Sequence, residues 1–296
     1  MEIKILSSKG LDETVNYGDC IIVNVNNKLV IYDCGSEEFA DEVIQYMKDN
    51  NIDKADIVLS HNDSDHFKGI TKLVDEGKVN SITTLLLLKY VDDIYDKIND
   101  KRKTRDSIKK QIEELYSNIY SLSGNNLVDA LGDNEYLPNN MRVVGPDKDY
   151  FIEAVSKHLD TRESDSIDGE TIMNAISVQL EIDINGRKLL LTGDSNFEAI
   201  KDKIREYDAI QLPHHGKDKQ ADNIFEENKG RNNVLYLVSD NTGNSNGGSD
   251  NLYKLPTTGY RIKNTKNGEI IVNYNSFSVE RCGNLGFNEI HCFRIK

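Results

Sequence analysis

Two periods of apolar spacing run along this chain, and the switches between them mark its elements. Residues 20–25 and 28–32 are β-rich and flank Asn26-Asn27, a dipeptide suited to a tight hairpin. Phe39, Val43, Ile44 and Met47 then fall at helical spacing and predict a helix over 39–48. Residues 56–59 read as a short apolar strand, 67–76 as a helix and 82–88 as a buried strand. The next segment, 91–122, is charged and has few breakers. Ile94, Ile98, Ile108, Ile112, Leu115 and Ile119 recur along it at helical spacing, predicting one or two long helices. Strand character returns at 176–184 and 188–192, around a turn at Asn185-Gly186. Residues 197–205 read as a helix, and 209–212 and 234–238 as strands. Residues 241–250, rich in Asn, Gly and Ser, read as a flexible loop. Terminal strands are expected at 260–262, 269–274 and 289–295.

Both halves open with strands and continue as strand–helix units. That order predicts an α/β fold of two packed sheets covered by helices. Residues 1–296 are expected to form a single domain, with 89–140 a helical insertion, or cap, within it.

Composition narrows the class. Apolar residues make up 38% of the chain, enough for a real core, and the four prolines argue against Pro-rich linkers. Acidic residues outnumber basic ones by 50 to 36, a formal charge of −14. Sequence-independent nucleic-acid binders carry the opposite sign, because phosphate neutralisation drives their affinity. A polyanionic partner would have to meet a local basic patch or bound metal. One such patch lies within 101–110, where Lys101, Arg102, Lys103, Arg105, Lys109 and Lys110 face only Asp106. It reads either as a solvated helix face or as a phosphate-contacting cap. Cys20, Cys34, Cys282 and Cys292 form no CxxC pair, so buried free thiols in a reducing cytoplasm are expected. The N-terminus lacks the apolar core of a signal peptide, and no apolar run approaches a membrane span. A soluble, cytoplasmic chain without a membrane segment is the expectation.

The candidate chemistry begins at His61-Asn62-Asp63-Ser64-Asp65-His66, directly after a buried strand. Two imidazoles and two carboxylates in one short loop can build neighbouring cation sites, and mixed N and O ligands suit Zn²⁺, Mn²⁺ or Fe. Leu189-Leu190-Leu191-Thr192-Gly193-Asp194 ends a second buried strand on a carboxylate, and Gln211-Leu212-Pro213-His214-His215-Gly216 ends a third on two imidazoles. Four of the six histidines sit in these segments. Strand-end loops are where α/β proteins collect their chemistry.

These motifs resemble the metallo-β-lactamase superfamily, whose signature is HxHxDH followed by a His, an Asp and a final His. The nearest resemblance is to the ComEC-type branch, the hydrolase domain of bacterial DNA-uptake proteins. That branch carries HxDxDH, as here with Asp63 in the second position, then Gly-Asp after a buried strand and His-His-Gly. Asp33-Cys34-Gly35 matches the family's Asp-x-Gly turn, and Gly18-Asp19 its Gly-Asp before the first hairpin. The resemblance spans about Gly18 to Asn275, with 89–140 outside it. It implies a four-layer αββα sandwich. It also implies that His61 and Asp63 bind a first metal, that Asp65 and His66 bind a second, and that Asp194 bridges them. One of His214 or His215 completes the second site, with His214 preferred as closest to the strand. Asp65 doubles as a proton acceptor near the attacking water. Asn174 stands roughly where most of the family has a first-metal His, as it does in the ComEC-type branch, which leaves the first site poor in ligands. His158 is either a substitute ligand or an ordinary surface-helix His, and His291 reads as structural. Lys217 stands where the branch has Ser, and reads either as a phosphate contact or as a surface cation. Cys34 reads as a small buried filler.

One or two Zn²⁺ or Mn²⁺ ions are the expected cofactors. The extra negative charge of Asp63 favours harder ions such as Mn²⁺. Two such cations roughly 3.5–4 Å apart can hold the attacking and leaving oxygens of a phosphodiester. The expected activity is therefore phosphodiester hydrolysis, and the resemblance makes DNA or another nucleic acid the first-choice substrate, ahead of a small phosphodiester. Asp65 and Asp194 would be essential, and Lys217, Asn174, Lys101, Lys103 and Arg105 would contact substrate. Two alternatives stand beside it: a hydrolase of a small ester, thioester or signalling nucleotide, and a metal-stabilised binding module with little turnover.

Overall fold

A computed structural model describes residues 1–122, 126–133, 135–160, 166–167, 169–243, 252, 260–277, 281–283 and 291–293. Seven strands build the first sheet, in the spatial order Ile270–Val272, Glu2–Ile5, Cys20–Val25, Lys28–Cys34, Ala55–Val58, Val79–Thr84, Asn126–Asp129. Six build the second, in the order Arg261–Asn264, Leu235–Val238, Ala209–Gln211, Arg187–Leu191, Gln179–Ile184, Met141–Gly145.

The second sheet shows why its strands read as continuous apolar runs. Leu189 and Leu191 join the core shared with the first sheet, whereas Leu190 packs on the opposite face with Ile224 and Phe225 of helix Asp218–Glu227. Ala209 and Ile210 split the same way, as do Leu235 and Tyr236. A sheet covered on both faces loses the apolar–polar alternation of a half-exposed one. Helices Glu37–Asp49 and Ser64–Asp75 pack on each other and on strand Lys28–Cys34 of the first sheet. The layers are thus helix, sheet, sheet, helix: the four-layer αββα sandwich.

Local chemistry sets the elements that carry the site. Asn26 and Asn27 both adopt positive φ, 51° and 66°, which asparagine tolerates at a hairpin tip. Ser36 caps helix Glu37–Asp49, its Oγ accepting from the Phe39 N–H at 3.1 Å. Strands Lys28–Cys34, Ala55–Val58 and Val79–Thr84 run parallel, as do Arg187–Leu191, Ala209–Gln211 and Leu235–Val238. Their C-terminal ends therefore open at common edges.

Residues 91–122 form three short helices, Val91–Lys97, Arg105–Leu115 and Ser117–Ser121. Extended Ile98 ends the first, and a reciprocal Thr104–Ser107 capping box starts the second. Periodicity continues across such a break, which is why it suggested longer helices. The predicted helix at 197–205 is two 3₁₀ turns, Phe197–Ala199 and Ile204–Glu206. Strand Asn126–Asp129 pairs in parallel with Val79–Thr84. The excursion therefore rejoins the first sheet at Asn126, well inside the expected 89–140 boundary. Of the expected loop at 241–250, residues 244–250 lie outside the described residues. So do the ends of the expected terminal strand 289–295, of which His291–Phe293 pairs with Arg281–Gly283. The side chains of Cys282, His291 and Cys292 are likewise outside them. Cys20 and Cys34 are buried free thiols. Among the described residues, no helix is long and apolar enough to cross a membrane.

Candidate metal centre

Two buried carboxylates organise the centre from behind. Asp33, at φ 57°, accepts the Ser60 N–H and the Ser60 hydroxyl, both at 2.7 Å. Its Oδ2 also lies 2.8 Å from His66 Nδ1. Asp19 does the same for the other imidazole: Oδ1 lies 3.1 Å from His215 Nδ1, and Oδ2 accepts from Gln211 Nε2 at 2.6 Å. His215 Nδ1 also faces the Ser239 carbonyl at 2.9 Å. Acceptors at Nδ1 require an N–H there, so each ring turns Nε2 into the centre.

Those Nε2 atoms meet further ligand-type groups. Asp194 follows Gly193, whose φ of 53° lets the chain turn against Ser60 at the end of strand Arg187–Leu191. Its Oδ1 lies 3.3 Å from His66 Nε2, and its Oδ2 lies 3.9 Å from the Nε2 atoms of both His214 and His215. Asp63 Oδ2 is 3.5 Å from His61 Nε2, and Asp65 Oδ2 is 3.4 Å from His215 Nε2. His61, His66 and Asp194 form one group whose ligand atoms all lie within 4.8 Å of each other, and Asp65, His66 and His215 form another. His61 Nε2, His66 Nε2, His215 Nε2 and Asp194 Oδ1 are all buried with no hydrogen-bond partner. Four buried polar atoms without a hydrogen bond, spread over two overlapping groups, are costly unless cations satisfy them. The donor set of imidazole nitrogens and carboxylate oxygens fits one or two divalent transition ions.

The charges are coupled. Burial pushes the Asp194 carboxyl up, but His66, His215 and His214 outweigh it and hold it well below the usual range. Asp65 is likewise held low despite burial, chiefly by its contact with His215. Burial opposes the charged form of His66, yet Asp194 and Asp33 raise its pKa well above the ordinary value; Asp194 and Asp19 do the same for His215. A cation at these nitrogens competes with those protons.

Asp65 is fixed by packing as well. Its carbonyl accepts the Asp19 N–H at 3.0 Å, and Asn16 Nδ2 donates to its Oδ2 at 2.9 Å. Gly18 has φ 67°, and a Cβ there would fall 1.7 Å from the Asp65 carbonyl oxygen; at Gly35 the same oxygen would be 2.1 Å away. Gly18→Ala is therefore expected to displace Asp65, costing about 1–3 kcal/mol of stability or more. It should also lower metal content, and elemental mass spectrometry together with thermal unfolding checks both. Unchanged metal content in a folded Gly18→Ala protein would show that this close approach does not position Asp65.

Residues 14–237 match the family model of the Metallo-beta-lactamase superfamily. The chain belongs to that superfamily. Its fold is similar to Tm1679, described as a metal-dependent hydrolase of the beta-lactamase superfamily, with a TM-score of 0.54 and 14% identity over 92% of this chain and 98% of that one. It is also similar to Igni18, described as a novel metallo hydrolase from the archaeon Ignicoccus hospitalis, with a TM-score of 0.50 and 12% identity over 93% and 100%. No curated protein matches the chain significantly.

Within the superfamily frame, the structure gathers His61, Asp63, Asp65, His66, Asp194, His214 and His215 at one place. Between the two adjacent histidines it favours His215, not His214, as the partner of Asp65. Both take left-handed φ, 51° and 56°, so the turn after Pro213 throws their rings in different directions. His214 Nδ1 meets the buried Glu170 carboxylate at 2.5 Å, which leaves its Nε2 facing Asp194. Asn174 sits beside the centre, with Nδ2 3.4 Å from Asp194 Oδ2. Lys217 does not project as an unengaged phosphate contact: its Nζ pairs with Glu170 at 2.9 Å and with the Gly169 carbonyl at 3.1 Å.

Lys101, Lys103 and Arg105 are not brought to the centre. They lie at or just before the start of helix Arg105–Leu115, whose far end meets the metal loop through the Leu115 carbonyl. About 15 Å of helix separates the two ends. Arg105 pairs with Asp92 at 3.1 Å, Lys103 with Gln111 at 2.9 Å, and Lys109 and Lys110 with Glu113 and Glu114. The basic run is largely neutralised by its neighbours. His158 lies in helix Lys148–Asp160 and joins no convergent ligand group among the described residues.

Glu170, Asn16, Ser60, Ser177 and Gln211 escaped the sequence reading. Single polar residues near strand ends carry no spacing signal. Gln211, next to Leu-Pro-His-His, and Ser60, next to His61, stood beside recognisable motifs, whereas Ser177, whose hydroxyl accepts the Asp194 N–H at 3.3 Å, did not.

Proposed function

We propose that this member of the superfamily is a metal-dependent phosphodiesterase. The observation that carries the reading is the convergence of His61 Nε2, His66 Nε2, His215 Nε2 and Asp194 Oδ1, buried and unpartnered, between two further carboxylates. His61, Asp63 and Asp194 would hold a first cation, and Asp65, His66, His215 and Asp194 a second. Bound there, Zn²⁺ or Mn²⁺ supplies Lewis acidity for a phosphoryl oxygen and lowers the pKa of water.

The chain's own residues do the rest. Asp33 and Asp19 orient the His66 and His215 rings, so that little rearrangement is needed on binding. Asp65, steered by Asn16, would accept the proton of the attacking water. Asn174, beside Asp194 and half facing His214, can hold a substrate oxygen. Asp63 in place of a neutral imidazole, Asn174 and the His-His-Gly turn support a place in the ComEC-type branch.

The substrate class follows from charge. A −14 chain whose basic helix is internally paired favours a small phosphodiester or signalling nucleotide over a long polymer. Nucleic acid, the first choice from the sequence, becomes the second reading, favoured by the ComEC-type motifs. The test incubates the protein with Mn²⁺ or Zn²⁺ and offers bis(p-nitrophenyl) phosphate, cyclic dinucleotides and single- and double-stranded DNA. Metal-dependent, chelator-sensitive cleavage of a phosphodiester is expected. Turnover of thioesters or carboxyl esters alone would overturn the phosphodiesterase reading.

A further inference from the structure

We infer that Asn118, in the helical excursion, is a positioning residue for the first cation site, so that the excursion sets that site's affinity. The inference rests on the two-cation reading above. Asn62 stands between His61 and Asp63, the two groups this loop offers to the first site. It is gripped from the excursion by three hydrogen bonds. Its side-chain Nδ2 donates to the Leu115 carbonyl at 2.8 Å and to Asn118 Oδ1 at 3.0 Å, and its backbone carbonyl accepts from Asn118 Nδ2 at 3.0 Å. Asn118 Oδ1 is itself set by the Ile119 N–H at 3.0 Å. Tyr116 and Ile119 on either side are buried in the main core, which fixes where Asn118 stands. The clasp leaves Asn62 Oδ1 buried without a hydrogen-bond partner, so the arrangement is kept against a local cost.

The two sites differ at one ligand: His61 Nδ1 is braced by the buried Ser60 and Ser177 hydroxyls at 2.9 and 3.3 Å, whereas Asp63 makes no side-chain cap bond. The second-site ligands are braced by the sandwich itself: Asp33 behind His66, Asp19 behind His215, and Gly18 and Gly35 against Asp65. The first site has Asn174 where a further imidazole would strengthen it, and Asp63 is its exposed member, with 44% of its side chain accessible. Asp63 occupies the N-cap position of helix Ser64–Asp75 but makes no side-chain cap bond, so its carboxylate is aimed by the backbone before it. That backbone is the residue Asn118 grips. A ligand-poor site depends most on the preorganisation of the few ligands it has, and residues that orient ligands typically govern roughly tenfold to a hundredfold in metal affinity.

The test is equilibrium dialysis of the full chain against Mn²⁺ alone, with bound metal counted by elemental mass spectrometry. The proteins are wild type, Asn118→Ala, Asn118→Asp, Asn62→Ala and the surface control Lys110→Ala. The expected result is two equivalents in wild type and Lys110→Ala. In Asn118→Ala and Asn62→Ala, one equivalent keeps its affinity and the other weakens roughly tenfold to a hundredfold. Asn118→Asp, which retains the acceptor and loses the donor, should weaken the same equivalent; it also serves if the alanine variant fails to fold. Two equivalents with unchanged affinities in folded Asn118 variants would overturn this inference and leave the two-cation reading standing. Equal weakening of both equivalents would overturn it too, by showing a general loosening. Fewer than two equivalents in wild type would overturn both.

Discussion

Asp194→Ala should empty both cation positions and bring hydrolysis down to background, a loss of at least about a thousandfold. Among the described residues Asp194 is the carboxylate that faces both groups: its ligand oxygen lies within 4.8 Å of the ligand atoms of His61 and His66, and its Oδ2 lies 3.9 Å from His215 Nε2. Its removal takes a ligand from each site at once. The protein should nevertheless fold. His66 keeps Asp33 as its partner and His215 keeps Asp19, so neither imidazole is left as an isolated buried charge. Metal content and a thermal unfolding curve, taken beside the activity assay, check the three parts separately. Near-normal turnover in Asp194→Ala would sink the bridging role, and loss of a cooperative unfolding transition would mean that the residue is structural instead.

Asp65→Ala should cost about a hundredfold to ten-thousandfold in kcat, the range of a positioned proton acceptor. Bound metal should fall from two equivalents toward one. The backbone here is held independently of the side chain: the Asp65 carbonyl accepts the Asp19 N–H, and it packs against Gly18 and Gly35. Truncation therefore removes the carboxylate and little else. Asn16 loses its acceptor, and His215 loses the contact at 3.4 Å. A variant that kept wild-type kcat with two bound cations would show that some other group takes the proton.

The fold and the ligand loops were legible because they rest on patterns spread over several residues. The hairpin at Asn26-Asn27, the helix through Phe39, Val43, Ile44 and Met47, and the doubly covered strand at Leu189-Leu190-Leu191 each carry their cause in the local sequence. The short strand Glu2–Ile5 and the helix Asp218–Glu227 gave too weak a signal to stand out. The site was legible as a set of ligands but not as an arrangement. Proximity to the strand pointed to His214, whereas two successive left-handed residues after Pro213 hand Asp65 its partner in His215. Lys217 and Arg105 looked like anion contacts because their partners, Glu170 and Asp92, are distant in sequence or belong to another helix. Exposed pairs such as Arg105–Asp92 contribute only about 0–1 kcal/mol each, so they neutralise charge rather than build the fold.

Cation binding by the unpartnered atoms of His61, His66, His215 and Asp194 is what the proposed hydrolysis depends on. Elemental mass spectrometry of the purified protein tests it most directly, after chelation and reloading with Mn²⁺ or Zn²⁺. Two equivalents per chain, removed by chelator, are expected. No stable metal uptake with either ion would contradict it and leave the superfamily fold without its chemistry.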